Sequence, residues 1–206
     1  MSEVLRSFIV FEGLDGAGTT TQIRLLSRNL GRIGYECIAT HEPTENPIGR
    51  LVRQVLQKKV TTTMHALALL YSADRHDHLY NDGYGIVNEL RNGRTVLSDR
   101  YFFSSIAYQA VECDESFISS INDYPLPQIV IFIDTPADEC IRRIDKRGEE
   151  KELFDRREFL EKVRKNYIRQ FESLPEGVAL ITVDGMKSVD EIEKEILGKV
   201  LTLIRG

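Results

Sequence analysis

Three glycines stand within six residues, Gly13, Gly16 and Gly18, and three threonines follow at once, Thr19, Thr20 and Thr21. Glycines at this spacing let the backbone curl so that successive N–H groups converge. The dipole of a helix starting at the same place adds positive potential there. The chemistry open to such a loop is the holding of phosphate. Gly13 and Gly18 have the separation found in the pattern of Gly, four residues, Gly, Lys and then Ser or Thr. Leu14, Asp15, Gly16 and Ala17 fill the interval, and Thr20 takes the position whose hydroxyl ligates Mg²⁺. The lysine position holds Thr19. The same residues also suit a plain strand-to-helix turn with the threonines as N-caps. A phosphate site built here must find its missing cation elsewhere in the chain.

The loop needs a strand before it and a helix after it, and both are legible. Phe8 to Phe11 reads as a buried strand, and Ile23, Leu25, Leu26 and Leu30 recur at helical spacing. Tyr35 to Thr40 reads as a second strand. Asn46-Pro47 opens a helix carrying Ile48, Leu51, Val52, Val55 and Leu56. A long helical region is expected from Thr62 to about Leu90, perturbed at Gly83 and Gly85. Thr95 to Ser98 is a short strand, Ser104 to Val111 a helix, and Gln128 to Ile133 the clearest buried strand. Pro136 starts a helix that runs into a charged stretch from Asp145 to Asp155. A further helix covers roughly Arg157 to Phe171, and Val178 to Val183 is the last strand. Ser188 and Glu191 have capping-box spacing at the start of the final helix.

This alternation implies an α/β fold of three layers, with a five-stranded, mostly parallel sheet and helices on both faces. In such sheets ligands bind beyond the carboxyl ends of the strands. The residues delivered there are the glycine-rich loop with Asp15, then His41-Glu42-Pro43, then Asp99-Arg100-Tyr101, then Asp134. Glycine-rich backbone, carboxylates and an arginine thus meet at one sheet edge.

The chain has 206 residues, which suits one domain spanning 1–206. Its net charge of −5 argues against a broad electrostatic grip on nucleic acid or an anionic membrane. Cys37, Cys113 and Cys140 make neither a zinc spacing nor a disulfide framework. The N-terminal residues lack the apolar segment of a signal peptide, and no apolar run spans a bilayer, so a cytoplasmic location is expected.

Several motifs together resemble the thymidylate kinase family. LSDRYFFSSIAYQ, from Leu97 to Gln109, is similar to that family's signature. FEGLDGAGTTTQ resembles its P-loop apart from the lysine. LLYSADRHDHL, from Leu69 to Leu79, looks like its nucleoside-binding helix. HEPTENPIG, from 41 to 49, resembles its Arg-Glu-Pro loop, with His41 in the usual arginine position. The resemblance implies a P-loop NTPase-type fold, a homodimer, and transfer of the ATP γ-phosphoryl group to dTMP with Mg²⁺.

It also implies residue roles. Gly13 to Thr21 would bind ATP. Thr20 and Asp99 would serve the metal, and Asp15 the acceptor sugar or the metal shell. Arg100 would hold the dTMP phosphate, because a guanidinium meets phosphate oxygens in two-pronged fashion. Arg75 would bond the thymine edge, Tyr71 would stack on the ring, and Tyr108 would crowd the 2′ position. Glu42, Pro43, Ser104, Ser105 and Gln109 would complete the acceptor pocket. Relatives with no arginine at the P-loop position held here by Ala17 draw catalytic arginines from a lid. The resemblance therefore assigns a lid at about 142–155, with Arg143 and Arg147 neutralising the γ-phosphate and Asp155 anchoring the closed state. Arg143 and Arg147 are spaced i, i+4, which places them on one helix face.

Two alternatives stay open on these residues. Thr19 suits a nucleotide-binding protein with impaired catalysis. A deoxynucleoside kinase would use a similar loop, although Arg100 favours a phosphorylated acceptor.

Overall fold

A computed structural model describes residues 3–147, 154 and 157–205, with Arg147 and Arg205 described through their backbone. Strand β1 (Val4–Gly13) is central in a five-stranded sheet ordered β2-β3-β1-β4-β5. The other strands are β2 (Cys37–His41), β3 (Thr95–Asp99), β4 (Leu126–Asp134) and β5 (Ala179–Asp184). Every pairing is parallel. Such strands are covered on both faces and read as apolar runs, as Phe8 to Phe11 and Ile129 to Ile133 do, all nearly inaccessible.

Register places the chemistry. Phe11 and His41 both pair with Asp99, Gly13 pairs with Ile133, and Asp134 pairs with Asp184. The carboxyl ends of the strands are thus level, and the residues that follow them emerge along one edge. The β1–β4 register shifts between Leu5 and Ile9, around Ser7, whose φ is +61° and whose N–H bonds the Gln128 side chain at 2.7 Å.

Nine helices lie among the described residues. Helix α1 (Thr19–Arg32) packs on the last helix, α9 (Val189–Arg205). Helix α2 (Pro47–Leu56) meets α3 (Met64–Tyr80), which meets both α4 (Ile86–Arg91) and α5 (Phe102–Gln109). The short α6 (Glu115–Ser120) follows α5, and α7 (Ala137–Arg147) and α8 (Arg157–Phe171) complete the set. Helix α8 packs on both α5 and α7.

The long helical region expected from 62 to 90 is two helices. Asn81 turns the chain out of helix with ψ 129°, and Gly85 reopens it as the N-cap of α4. A Cβ at Gly85 would stand 2.5 Å from the Asn81 carbonyl oxygen, so the turn closes on glycine alone. The capping box at Ser188 and Glu191 is present, with reciprocal bonds of 2.9 and 3.3 Å. No helix of the described residues is long and apolar enough to cross a membrane.

Candidate active site

The loop from Gly13 to Thr20 runs from the end of β1 into α1. Gly16 and Gly18 hold φ of +86° and +102°, a region that side chains other than glycine's rarely enter. Gly16 is needed for a second reason: a Cβ there would lie 2.6 Å from the Cys140 carbonyl oxygen of α7. Gly18 is the N-cap of α1, and no side chain caps the orphan N–H groups of the first turn. Those donors face a cleft of about 1150 Å³ lined by Gly16, Gly18, Thr19, Thr20 and Thr21. Unsatisfied N–H groups at a helix N-terminus favour an anion. Thr20 donates its hydroxyl hydrogen bond to Asp99 Oδ2 at 2.5 Å. Among the described residues no three His, Cys, Asp or Glu side chains form a metal cluster. A hydroxyl beside one carboxylate fits Mg²⁺, which takes most of its ligands from water and substrate phosphates.

Asp99 and Arg100 are consecutive, and the chain turns between them. Arg100 has φ +74°, a strained conformation for a non-glycine residue that costs about 1–3 kcal/mol. Its N–H is held by the Phe11 carbonyl at 2.9 Å. The guanidinium donates to Asp15 Oδ1 at 2.6 Å, to Ser104 Oγ at 2.9 Å, and to the hydroxyls of Tyr167 and Tyr108 at 3.3 Å each. It lies 5.0 Å from the centre of the Tyr108 ring. Tyr108 donates to Asp15 Oδ2 at 2.9 Å and accepts from the Asp15 N–H at 3.1 Å. Burial lifts the Tyr108 and Tyr167 phenols well above their ordinary value, so both remain donors.

A second buried cluster lies between α3 and α5. Arg75 is 1% exposed. Its Nε donates to Glu42 Oε2 at 2.8 Å, one terminal nitrogen donates to Ser105 Oγ at 3.0 Å, and the other bonds Asn122. Glu42 also meets His78 Nδ1 at 3.1 Å, and His78 Nε2 meets Thr40 Oγ1 at 2.7 Å. Gln109 is buried, and its Oε1 has no hydrogen-bond partner. Pro43, Tyr71, Arg75, Ser105, Tyr108 and Gln109 all line the same cleft as the phosphate loop.

The thymidylate kinase family model matches residues 11–196 of this chain. The chain belongs to the thymidylate kinase family. A relative from Treponema pallidum, described as a thymidylate kinase, is 41% identical over 199 residues and 94% of each chain. One from Methanococcus aeolicus, likewise named for thymidylate kinase, is 38% identical over 204 residues, covering 96% of this chain and 97% of the relative.

Within this member of the family, two expected site residues have partners the sequence did not foretell, and a third expectation lies outside the described residues. Ser104 lines the cleft, but its hydroxyl hydrogen is engaged: it donates to Glu12 Oε2 at 2.6 Å, with the Tyr167 hydroxyl 2.7 Å away and the Arg100 guanidinium donating to it. Arg143 does not point at open cleft. Its Nη1 donates to the Ala17 carbonyl at 3.2 Å, its Nη2 to the Gly185 carbonyl at 2.8 Å, and its Nε to Glu139 at 2.7 Å. Together with Arg142 it holds the Glu139 carboxyl down at about 2. Arg143 thus braces the outside of the loop, and reaching a phosphate requires it to exchange those partners. The backbone of Arg147 ends α7, while the expectation for Asp155 and most of the lid falls outside the described residues.

Sequence reasoning missed Glu12, Arg53, Phe154 and Tyr167. Arg53 reaches the cleft from α2, bonds the Pro43 carbonyl, and pairs with Glu45 at 3.0 Å, leaving its buried Nε without a partner. Phe154 stacks on Phe159 with centroids 4.9 Å apart and lines the cleft. The one available signal was periodicity: Arg53 is seven residues beyond the Asn46 cap, on the face shared with buried Gly49 and Val52.

Proposed function

We propose that this protein transfers the terminal phosphoryl group of ATP to dTMP, giving dTDP and ADP, with Mg²⁺ held between the loop and Asp99. The observation that carries this reading is the pair Asp99–Arg100. One side chain reaches the Thr20 hydroxyl inside the phosphate loop, and the next stands across the same cleft as a cation held in place by four polar partners. Donor and acceptor phosphates would then have separate seats on adjacent residues. Phosphoryl transfer asks chiefly for such positioning and charge neutralisation.

The uncapped N–H groups of α1 would take the donor phosphates. Bound there, Mg²⁺ would neutralise charge on those phosphates, with the Thr20 hydroxyl as a ligand and Asp99 holding its water shell. Arg100, assisted by Arg53, would take the dTMP phosphate. The thymine ring presents an N3–H donor flanked by carbonyl oxygens. Gln109 Oε1 is an unpaired acceptor in the cleft wall, and Arg75, with Nε and Nη2 on Glu42, Nη2 also on Ser105 and Nη1 on Asn122, keeps one further N–H donor on Nη1. Arg24, Arg53 and Arg100 also line the cleft and supply positive charge that Thr19 does not.

Calorimetric titration with dTMP and with thymidine tests this reading. Arg100→Ala is expected to weaken dTMP by on the order of 2–5 kcal/mol, as for other lost charge contacts, and to leave thymidine nearly unchanged. Equal losses for both ligands would show that Arg100 does not read the phosphate.

A further inference from the structure

Glu12 lies in the buried part of β1, one residue before the phosphate loop begins at Gly13, and its side chain is wholly inaccessible. It accepts three hydrogen bonds. The Tyr101 N–H reaches Oε1 at 2.9 Å, while the Ser104 hydroxyl at 2.6 Å and the Tyr167 hydroxyl at 2.9 Å reach Oε2. Each of these leads to Arg100. Tyr101 is the next residue in the chain, so its N–H fixes the peptide that follows the left-handed φ of Arg100. Ser104 Oγ and Tyr167 Oη are two of the atoms to which Arg100 Nη1 donates, at 2.9 and 3.3 Å. The carboxylate faces Tyr101 and Ser104 at the start of α5, Tyr167 from α8, and the charge of Arg100 from the end of β3. Asp15 and Tyr108 lie on the far side of the guanidinium.

We infer that Glu12 is a positioning residue for the acceptor phosphate: it holds the Arg100 backbone through Tyr101 and aims the Arg100 guanidinium through the hydroxyls of Ser104 and Tyr167. A guanidinium on a long flexible stem has many poses, and this arrangement selects one. Both hydroxyls donate to Glu12, which leaves their lone pairs for Arg100. Burial pushes the Glu12 carboxyl up to about 7, against the lowering effects of Ser104, Arg100, Tyr167 and the Tyr101 N–H. A carboxylate kept in so unfavourable a place, with all its partners serving one arginine, is a site feature and not a packing feature. Helix α8, which delivers Tyr167, is thereby wired to the acceptor seat on β3.

This inference rests on the reading of Arg100 as the dTMP phosphate ligand, and the test separates the two. Steady-state kinetics and melting temperature are measured for the unmodified protein, Glu12→Gln, Tyr167→Phe, the double variant and Arg100→Ala. The single variants are expected to raise KM for dTMP by about tenfold, the scale of a hydrogen bond involving a charged group, and to leave KM for ATP unchanged. Residues of one network couple, so the double variant is expected to cost no more than the worse single variant. If Glu12→Gln does not fold, Tyr167→Phe and Ser104→Ala each carry the same expectation. Arg100→Ala raising KM for dTMP while none of the others does overturns the positioning role alone. Independent, multiplying losses overturn it as well. An unchanged KM for dTMP in Arg100→Ala removes the phosphate reading and the positioning role together.

Discussion

Arg100 donates from Nη2 to Asp15 Oδ1 at 2.6 Å, joining the acceptor side of the cleft to the middle of the phosphate loop. On the proposed reading, Asp15 occupies a guanidinium nitrogen that the dTMP phosphate would also need, and it holds that nitrogen in register with the loop. Asp15→Ala is therefore expected to leave KM for dTMP unchanged or lower while kcat falls by about tenfold or more, a barrier increase of about 1.4 kcal/mol. Initial-rate kinetics decide it. A raised KM with kcat intact would mean that Asp15 binds substrate and does not position Arg100.

Tyr108 separates ring from hydroxyl. The hydroxyl serves Asp15, whereas the ring lies in the cleft wall beneath Arg100. Tyr108→Phe is expected to keep the preference for dTMP over its ribose counterpart, and Tyr108→Ala to lose it. The preference at stake is on the order of ten- to hundredfold, the range for excluding one small group. The ratio of kcat/KM for the two nucleotides is the measurement, and an unchanged ratio in Tyr108→Ala would remove the steric role.

Gly16 and Gly18 differ in what surrounds them. Both have positive φ, but a Cβ at Gly18 meets nothing within 4 Å, while one at Gly16 meets the Cys140 carbonyl at 2.6 Å. Gly18→Ala carries backbone strain alone, about 1 kcal/mol, and Gly16→Ala carries strain and a clash, about 3 kcal/mol or more. The order of the two melting temperatures checks this, and Gly16→Ala is expected to weaken ATP the more.

Glu12 makes stability depend on pH. Its folded-state value of about 7 lies above the ordinary 4.5, so between those values the folded protein binds more protons than the unfolded chain. Stability is then highest, as far as this group is concerned, below about pH 4.5, falls as pH rises, and carries its full penalty above about pH 7. Glu12→Gln removes that penalty. It is expected to stabilise the fold above about pH 7 by on the order of 3 kcal/mol at most, seen as a higher melting temperature, with the gain fading toward pH 4.5. A gain that does not vary with pH would assign the effect to packing.

The parts legible in the sequence were those set by local spacing. The glycines of the loop, the apolar strands and the Ser188–Glu191 cap each declare themselves within a few residues. Level strand ends then brought Gly13, Glu42 and Asp99 together as parallel register requires. Glu12 was illegible for the opposite reason. It follows the apolar run Phe8 to Phe11, and its partners are 89, 92 and 155 residues away. The bond from Ser104 to Glu12 was illegible with it, because a serine in the signature does not reveal which way its hydroxyl turns. The short α6 has too few apolar positions for a period, and only the Asp114 cap, bonded to the Phe117 N–H at 3.1 Å, announces it. The partners of Arg143, assigned by resemblance to the lid, were illegible too, since carbonyl oxygens from Ala17 and Gly185 leave no trace in composition.

On the proposed function, the chain transfers phosphate to dTMP although Thr19 stands in the lysine position. ADP release by the unmodified protein, with ATP, Mg²⁺ and a panel of nucleoside monophosphates beside thymidine, tests it most directly. ADP and dTDP are expected to form stoichiometrically with dTMP, with little turnover with thymidine, and only a modest change, or a loss, in Thr19→Lys. No ADP above background with dTMP, restored by several orders of magnitude in Thr19→Lys, would contradict it and leave a nucleotide-binding protein with disabled chemistry.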